Sequence, residues 1–267
     1  MSTRPARKSQ WLSLDALVQF LLSWSVPAIA IIAWQVLSHR GIIPARVLPA
    51  PTAVFGAAVR LWRTGDLQNA ILISSGRAGA GFLIGGSIGF LLGLANGLSR
   101  ISEVLLDSSV QMLRNIPHLA LIPLVILWFG IGEPAKLFLV SLGVFFPVYL
   151  NTFHGIRSID PGLREMASVY GVRSWSLFWN FILPGAMPSI LVGVRYALGL
   201  MWLTLIVAET IAGDSGIGYI TMNARDLMET DVVLLGIVIY AILGKLADTI
   251  ARLLERVLLR WQPEYQQ

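Results

Sequence analysis

The fold is decided by one polar stretch between two long apolar runs, IDPGLREMASVYGVRSWSLFWNFILPGAMP at residues 159–188. Asp160 followed by Pro161 is typical of a helix start, because the carboxylate caps the helix and a proline in its first turn loses no hydrogen bond. Gly171 ends this helix, and a second helix continues until Pro184, whose ring stops it. Each helix has roughly ten residues, about half of what a membrane span needs. The stretch therefore predicts two short helices outside the bilayer, held between two spans.

The composition indicates that the rest of the chain lies in a membrane. Of 267 residues, 55% are hydrophobic and 13% are charged, whereas about a quarter of the residues in soluble domains are charged. The chain has no cysteine, which excludes disulfide and thiolate chemistry. The net charge of +5 comes from basic residues scattered at the ends of apolar runs. This scatter favours membrane flanks over a nucleic-acid partner, which would need a basic stripe.

Six apolar runs predict an all-α, polytopic membrane protein with about six transmembrane helices. The runs cover residues 26–37, 78–98, 104–129, 135–153, 189–211 and 232–254. Pro117 and Pro123 interrupt the third run and predict a bend there, because each proline removes a helical hydrogen bond. A weakly amphipathic helix at 53–62 is too charged to cross the membrane. A glycine-rich loop at 213–223 joins the last two spans.

The first run is short and has a rival interpretation. Ala28-Ile29-Ala30 resembles the cleavage site of a signal peptide, but Asp15 and Gln19 interrupt the segment before it and favour a span. With the N-terminus inside, six spans place residues 159–188 inside as well. The positive-inside tendency weakly favours this orientation. The basic residues that precede the first run are Arg4, Arg7 and Lys8.

A stripe of five glycines occupies the second run. The glycines recur at every fourth position, at Gly81, Gly85, Gly89, Gly93 and Gly97. A spacing of four stays close to one helix face, and glycines there leave a groove into which another helix backbone fits closely. The alternative is the general abundance of glycine in membrane helices. The regular spacing favours a role in helix packing rather than in chemistry.

Ionisable residues inside the later runs are candidates for a translocation pathway, because they are costly in lipid and face protein or water. Arg195 has the planar donor fork that suits an oxyanion. Its alternative roles are snorkelling to the interface and pairing with a neighbour. Asp248 is a further ionisable residue in these runs. Glu209 and Lys245 predict a structural ion pair between the fifth and sixth spans, with a transport role for Glu209 as the alternative.

Three further residues complete the pathway candidates. His118 lies beside Pro117 at the predicted bend, where a hydrogen-bonded packing role is the alternative to contact with substrate. Trp202 and Thr204 lie in the fifth span.

The sequence carries no signature of an enzyme or of its own ATP site. Gly244-Lys245 is followed by Leu246, so the phosphate-binding pattern of an ATPase is missing. The three histidines lie far apart in sequence and no cysteine accompanies them, which argues against a metal-dependent or nucleophilic intramembrane enzyme. A secondary transporter remains as another class, although the halves of the chain show no inverted repeat.

The polar stretch resembles the cytoplasmic "EAA" loop of permease subunits of bacterial ABC importers. The matching pattern is Glu165-Met166-Ala167, three residues, Gly171, nine residues and Phe181-Ile182-Leu183-Pro184. Met166 and Phe181 depart from the family's alanine and isoleucine, and both remain apolar. Residues 113–124 with 128–130, and residues 199–210, resemble the nitrate, sulfonate and taurine branch, and are most similar to aliphatic sulfonate permeases.

The resemblance implies a transport subunit with no cofactor of its own, not an enzyme. It implies a methionine-importer-like permease fold in residues 71–260 with a coupling loop at 155–188, preceded by a tail, the first span and a periplasmic linker in residues 1–70. The coupling helix would dock on an ATPase subunit, present in two copies, that binds ATP and Mg²⁺. Its candidate coupling residues are Glu165, Met166, Ala167, Gly171, Leu183 and Pro184.

The same resemblance implies the other partners and the location. These are a periplasmic substrate-binding protein, a second copy of the chain and membrane lipid. Both termini would lie in the cytoplasm, on the inner side of a bacterial inner membrane. The expected substrate is an aliphatic sulfonate, with taurine, nitrate or another small anion as alternatives.

Overall fold

A computed structural model describes residues 9–172 and 174–261, and all regular structure in these residues is helical. The basic residues Arg4, Arg7, Lys8 and Arg173 lie outside this range. The helices are α1 (Ser9–His39), α2 (Pro51–Thr64), α3 (Asp66–Leu98), α4 (Arg100–Arg114), α5 (Ile122–Phe129), α6 (Glu133–Arg157), α7 (Pro161–Val169), α8 (Ser174–Leu177), α9 (Leu183–Ala212), α10 (Ile217–Asp226) and α11 (Thr230–Leu258). A 3₁₀ turn (His118–Leu121) precedes α5, and a π turn (Phe178–Ile182) precedes α9.

Four of the described helical segments are long and apolar enough to cross a membrane. They are α3, α6, α11 and the continuous segment Trp175–Ile211 that contains α9. The helix α4 and the segment His118–Phe129 pass the same test only when taken together, as one broken span or a re-entrant loop, and they meet at an angle of 81°. Pro117 lies at this break and has an extended ψ of 111°. The predicted all-α polytopic architecture is confirmed, and so is the bend in the third apolar run.

The first predicted span lies within α1. The apolar part of α1 that the structure describes in full is Trp24–His39, which is shorter than the four long spans. The described part of α1 packs against α2. The amphipathic helix predicted near 53–62 is confirmed as α2, whose Val54 and Ala57 are buried.

The central layer of the fold is a row of four helices in the order α3, α6, α9 and α11. The α3–α6 contact is formed by the glycine stripe. A methyl group on Gly89 would lie 2.6 Å from the carbonyl oxygen of Phe145, and one on Gly93 would lie 2.7 Å from the carbonyl oxygen of Tyr149. These distances are shorter than van der Waals contact. The backbones of α3 and α6 can therefore approach this closely only because α3 has no side chains at these positions.

The prediction that Pro184 stops a helix is wrong. The π turn leads directly into α9, and the amide of Leu183 donates to the carbonyl of Phe178. Pro184 is therefore in the first turn of α9, where a missing amide hydrogen is tolerated. The consequence is a helical rod that continues from the segment outside the spans to the far end of the bundle.

The prediction of a loop over residues 213–223 is wrong in its second half, which forms the start of α10. The amide of Ile217 donates to the Ser74 hydroxyl at 3.0 Å, and the amide of Gly218 donates to the Glu209 carboxylate at 2.9 Å. These side chains on α3 and α9 satisfy the amides that a helix start leaves without partners. Tertiary contacts thus override a glycine-rich sequence of low helix propensity.

Candidate functional site

The linking segment, residues 158–182, joins the ends of α6 and α9. Asp160 accepts a hydrogen bond from the amide of Gly162 at 2.8 Å, which confirms the predicted cap with Pro161 in the first turn of α7. The amide of Val172 donates to the carbonyl of Ala167 at 2.9 Å and closes the end of α7. Gly171 has φ of +68°, the left-handed conformation that favours glycine, which explains the residue type at this position.

The linking segment presents an apolar surface. Ala167 is buried, whereas Glu165 and Gly171 are exposed. Large apolar side chains surround them on the surface, at Met166, Val169, Tyr170, Trp175 and Trp179. Leu183 and Pro184 are partly buried at the start of α9. Exposed apolar patches of this kind mark interaction surfaces in proteins.

A buried charge network lies at the opposite end of the spans. Arg77 on α3 donates from Nη1 to Glu209 on α9 at 2.8 Å, and both side chains are almost fully buried. Glu209 also accepts hydrogen bonds from the hydroxyls of Ser74 at 2.8 Å and Tyr240 at 2.9 Å. Together with the amide of Gly218, these donors surround the carboxylate. The arrangement ties α3, α9, α10 and α11 together.

The network continues to the surface through α6 and the loop before α10. Arg77 pairs with Glu133 and donates to the carbonyl of Ser215 at 2.7 Å. Lys136 is fully buried and donates to Asp214 at 2.8 Å. The ammonium group of Lys136, followed by the Ser215 hydroxyl, lowers the pKa of Asp214 from 3.8 to about 2. The loop is therefore anchored by charge to two spans.

The predicted ion pair between Glu209 and Lys245 is wrong. The ammonium of Lys245 lies 3.5 Å from Asp248 on the same helix, and Glu209 takes Arg77 as its partner. The residue on α11 that reaches Glu209 is Tyr240. Lys245 lies five residues further along, about 7.5 Å along the helix axis, and is too far down the helix to compete.

Sequence reasoning missed the cationic half of this network. It singled out neither Arg77 nor Lys136, although both are buried. A signal was present for Arg77, which lies four residues before Gly81 and continues the spacing of the glycine stripe. A residue in that register faces the neighbouring helix.

The pathway candidates fall into two groups on α9. Arg195, Trp202 and Glu209 recur at every seventh position and share the face toward α11, where Trp202 packs edge-on against Tyr240 with ring centroids 6.2 Å apart. Thr204 lies nine residues from Arg195, half a turn away from that face. The structure therefore does not gather the five candidates around one point.

Thr204 meets His118 at the break between α4 and α5. The imidazole Nε2 lies 3.0 Å from the Thr204 hydroxyl, and Thr204 is fully buried. The contact passes over Gly143 of α6, where a methyl group would lie 2.8 Å from the hydroxyl oxygen. Three spans thus meet at this polar contact.

Arg195 on α9 forms ion pairs with two carboxylates on α11. Its Nε donates to Asp248 at 2.9 Å, and its Nη1 lies 3.9 Å from Glu255. Asp248 also accepts a hydrogen bond from Arg252 at 3.0 Å. Of the three roles predicted for Arg195, pairing with a neighbour is therefore observed in the chain.

Comparison with known proteins identifies the family. Residues 85–260 match the model of the family described as binding-protein-dependent transport system inner membrane component. The chain is 60% identical to a protein of Escherichia coli (strain K12) named as an aliphatic sulfonates transport permease, SsuC, over 91% of this chain and 92% of that protein. It is 33% identical to the taurine transport system permease protein TauC of the same strain, over 93% of this chain and 92% of TauC.

A solved structure of the MetNI methionine ABC transporter in inward facing conformations is also similar. The match covers 71% of this chain and 94% of the chain in that structure, at 20% sequence identity and a TM-score of 0.49. The family match and the identity to SsuC over most of both chains establish membership. The chain therefore belongs to the binding-protein-dependent transport system inner membrane component family and is a multi-pass transport subunit of an ABC importer, not an enzyme, that works with an ATPase and a substrate-binding protein.

Proposed function

We propose that this chain forms, as a homodimer with two ATPase subunits, the membrane pathway of an importer for aliphatic sulfonates. The support for this substrate is the degree of similarity, since identity to the sulfonate permease is nearly twice that to the taurine permease. Taurine, nitrate and other small anions are the alternative substrates. A periplasmic binding protein delivers the anion to the outer end of the bundle.

The observation that carries the proposal is the apolar, exposed surface of the linking segment. Tyr170 and Trp175 are 79% and 73% exposed, although large aromatic side chains bury much of their area in most folded proteins. The two residues flank the turn at Gly171, next to the exposed Met166. A groove on an ATPase subunit is the occupant that the family's "EAA" pattern implies for this surface.

The continuity of α9 provides a way to transmit ATPase movement. The π turn leaves no gap between the linking segment and α9, so the helical rod extends over Trp175–Ile211. At about 1.5 Å per residue the rod is roughly 54 Å long. Its far end carries Glu209, which is tied to α3, α10 and α11. Displacing the linking segment thus moves the outer end of the bundle.

The orientation follows from the same assignment. The linking segment and both termini lie in the cytoplasm, because the ATPase subunits and their ATP and Mg²⁺ are cytoplasmic. The Arg77–Glu209 network then lies at the periplasmic end, where the binding protein docks. The chain itself binds no nucleotide in this scheme, which agrees with its missing phosphate-binding pattern.

The pathway residues of this proposal are His118 and Thr204. They lie where the segment after the break meets α6 and α9. Trp202 lies two residues before Thr204 but on the face toward α11, away from this contact, and its indole N–H has no hydrogen-bond partner among the described residues. These donors suit the oxygen atoms of a sulfonate group.

Reconstitution tests the substrate. The chain is purified with its ATPase, placed in lipid nanodiscs and given the binding protein with ethanesulfonate, taurine or nitrate. We expect ethanesulfonate to stimulate ATP hydrolysis most strongly at equal binding-protein saturation. Stimulation by nitrate or taurine alone would reject the sulfonate assignment. ATP hydrolysis that does not depend on the binding protein would reject the importer assignment.

A further inference from the structure

A cavity opens between α9 and α11 near the middle of both helices. Its volume is about 470 Å³, and Arg195, Tyr196 and Asp248 line it together with Val192, Gly199 and Gly244. A methyl group built on Gly199 or on Gly244 would meet nothing within 4 Å. The two glycines therefore leave open room between the helices rather than a close helix contact.

The charged residues that line the cavity are Arg195 and Asp248, and two further cations contact Asp248 from beside it. Asp248 is shared by three cations, Arg195 at 2.9 Å, Arg252 at 3.0 Å and Lys245 at 3.5 Å. Glu255 approaches Arg195 only to 3.9 Å. Lys245 and Arg252 keep 72% and 52% of their side-chain surface exposed. Because these three cations share one carboxylate in hydrogen-bond contact, some of their N–H donors remain available to bind a further anion.

The position of the cavity favours a lipid as that anion. Asp248 lies ten residues before the end of α11 at Leu258, about 15 Å along the axis. The side chain of Arg195 leans toward the start of α9, as helical side chains do, and so toward the same membrane surface. In the orientation proposed above this is the cytoplasmic leaflet, which is rich in anionic lipids.

The importer's substrate is a weaker candidate for this cavity. Arg195 lies on the face of α9 opposite Thr204, which is the face that meets His118. In addition, α11 ends the row of packed spans, so the cavity borders the outside of the bundle. A membrane-facing cavity whose exposed cations have stems long enough to snorkel toward the headgroups suits a phosphate group whose acyl chains lie in the bilayer.

We propose that Arg195, Lys245 and Arg252 bind the headgroup phosphate of an anionic phospholipid between α9 and α11. The leaflet assigned to this lipid rests on the orientation proposed above, whereas the binding itself does not. Each basic residue near a membrane surface strengthens anionic lipid binding on the order of fivefold. Two charge-removing substitutions are therefore expected to weaken retention by about 25-fold.

Native mass spectrometry of the full chain in detergent, given phosphatidylglycerol or phosphatidylcholine, tests the proposal. The double variant Lys245→Gln/Arg252→Gln is compared with Arg60→Gln/Arg63→Gln, which removes the same charge from the exposed surface of α2. We expect the wild type and the α2 variant to retain phosphatidylglycerol preferentially and the α11 variant to lose the preference. Equal retention by both variants, or no preference in the wild type, would overturn the proposal.

Competition experiments and the oligomeric state distinguish a bound phospholipid from the other possible occupants of the cavity. Inorganic phosphate is expected to leave the bound phospholipid in place, because it lacks acyl chains. Displacement by ethanesulfonate would overturn the proposal by assigning the cavity to substrate. Dissociation of dimers in the α11 variant, with lipid retention unchanged, would overturn it by assigning the face to a second copy. The assay contains no ATPase or binding protein, so its outcome is independent of the sulfonate-stimulated ATPase test.

Discussion

Arg77 and Glu209 form a buried ion pair 2.8 Å long that joins two membrane spans, although 132 residues separate them in sequence. Neither charge is left with a single partner, since Arg77 also binds Glu133 and Ser215 while Glu209 also binds Ser74 and Tyr240. A buried charge is tolerated when it is paired and fully hydrogen-bonded. The pair therefore fixes the end of the bundle farther from the linking segment as one unit.

Removing one charge of this pair is expected to destabilise the protein strongly. Glu209→Leu leaves the Arg77 guanidinium buried next to an apolar group, at a cost of about 3–5 kcal/mol in the free energy of unfolding. The double variant Arg77→Met/Glu209→Leu is expected to cost less than the sum of the single changes. A double-mutant cycle by thermal unfolding in detergent measures this coupling. Asp226→Asn, which breaks the exposed pair with Arg225, is the control and should cost under about 1 kcal/mol.

The loop before α10 is expected to lose stability in acid. The pKa of Asp214 is lowered from 3.8 to about 2 by its bond to Lys136, so the carboxylate stabilises the folded state above pH 3.8. That stabilisation declines as the pH falls through the interval between these values, because protonation breaks the pair. Unfolding midpoints measured along a pH series should fall more steeply in the wild type than in Asp214→Asn. Parallel curves would contradict the assignment.

The glycine stripe predicts a contrast between two faces of α3. Gly89→Ala places a methyl group 2.6 Å from the Phe145 carbonyl oxygen and should cost about 1–3 kcal/mol, because the helices must separate. Gly79→Ala meets nothing within 4 Å and should be neutral or stabilising by up to about 1 kcal/mol. Thermal unfolding of the purified variants compares them. Similar losses in both variants would mean that the stripe is not a packing face.

The contact between His118 and Thr204 predicts a difference between two small substitutions. Thr204→Val keeps the shape but removes the hydroxyl, so it should lower stability by about 0.5–1.5 kcal/mol and slow sulfonate uptake. Thr204→Ser keeps the hydroxyl and should transport close to the wild-type rate. Uptake into proteoliposomes at matched protein levels measures the effect. Equal uptake by the two variants would remove Thr204 from the pathway.

Most helices could be predicted from local signals, and the charge network could not. The cap at Asp160, the bend near Pro117 and the glycine stripe are properties of neighbouring residues, so the sequence indicates them directly. The partner of Glu209 depends on which helices become neighbours, which a single sequence does not contain. Pro184 was misjudged because a π turn accommodates the proline at the start of α9. The start of α10 was missed because Ser74 and Glu209 supply its hydrogen bonds from distant positions.

Docking of the linking segment on the ATPase is tested most directly by co-purification of a tagged chain with its ATPase subunit. Gly171→Val forces a β-branched residue into a φ of +68°, while Gly171→Asn places a residue that tolerates this conformation in the same open space. Glu165→Ala removes the exposed carboxylate of the "EAA" pattern. We expect Gly171→Val and Glu165→Ala to insert as folded dimers that lose the ATPase or its stimulation, and Gly171→Asn to retain both. Normal assembly and normal stimulated ATP hydrolysis in all three variants would contradict the assignment of residues 158–182 as the element that couples ATP hydrolysis to transport.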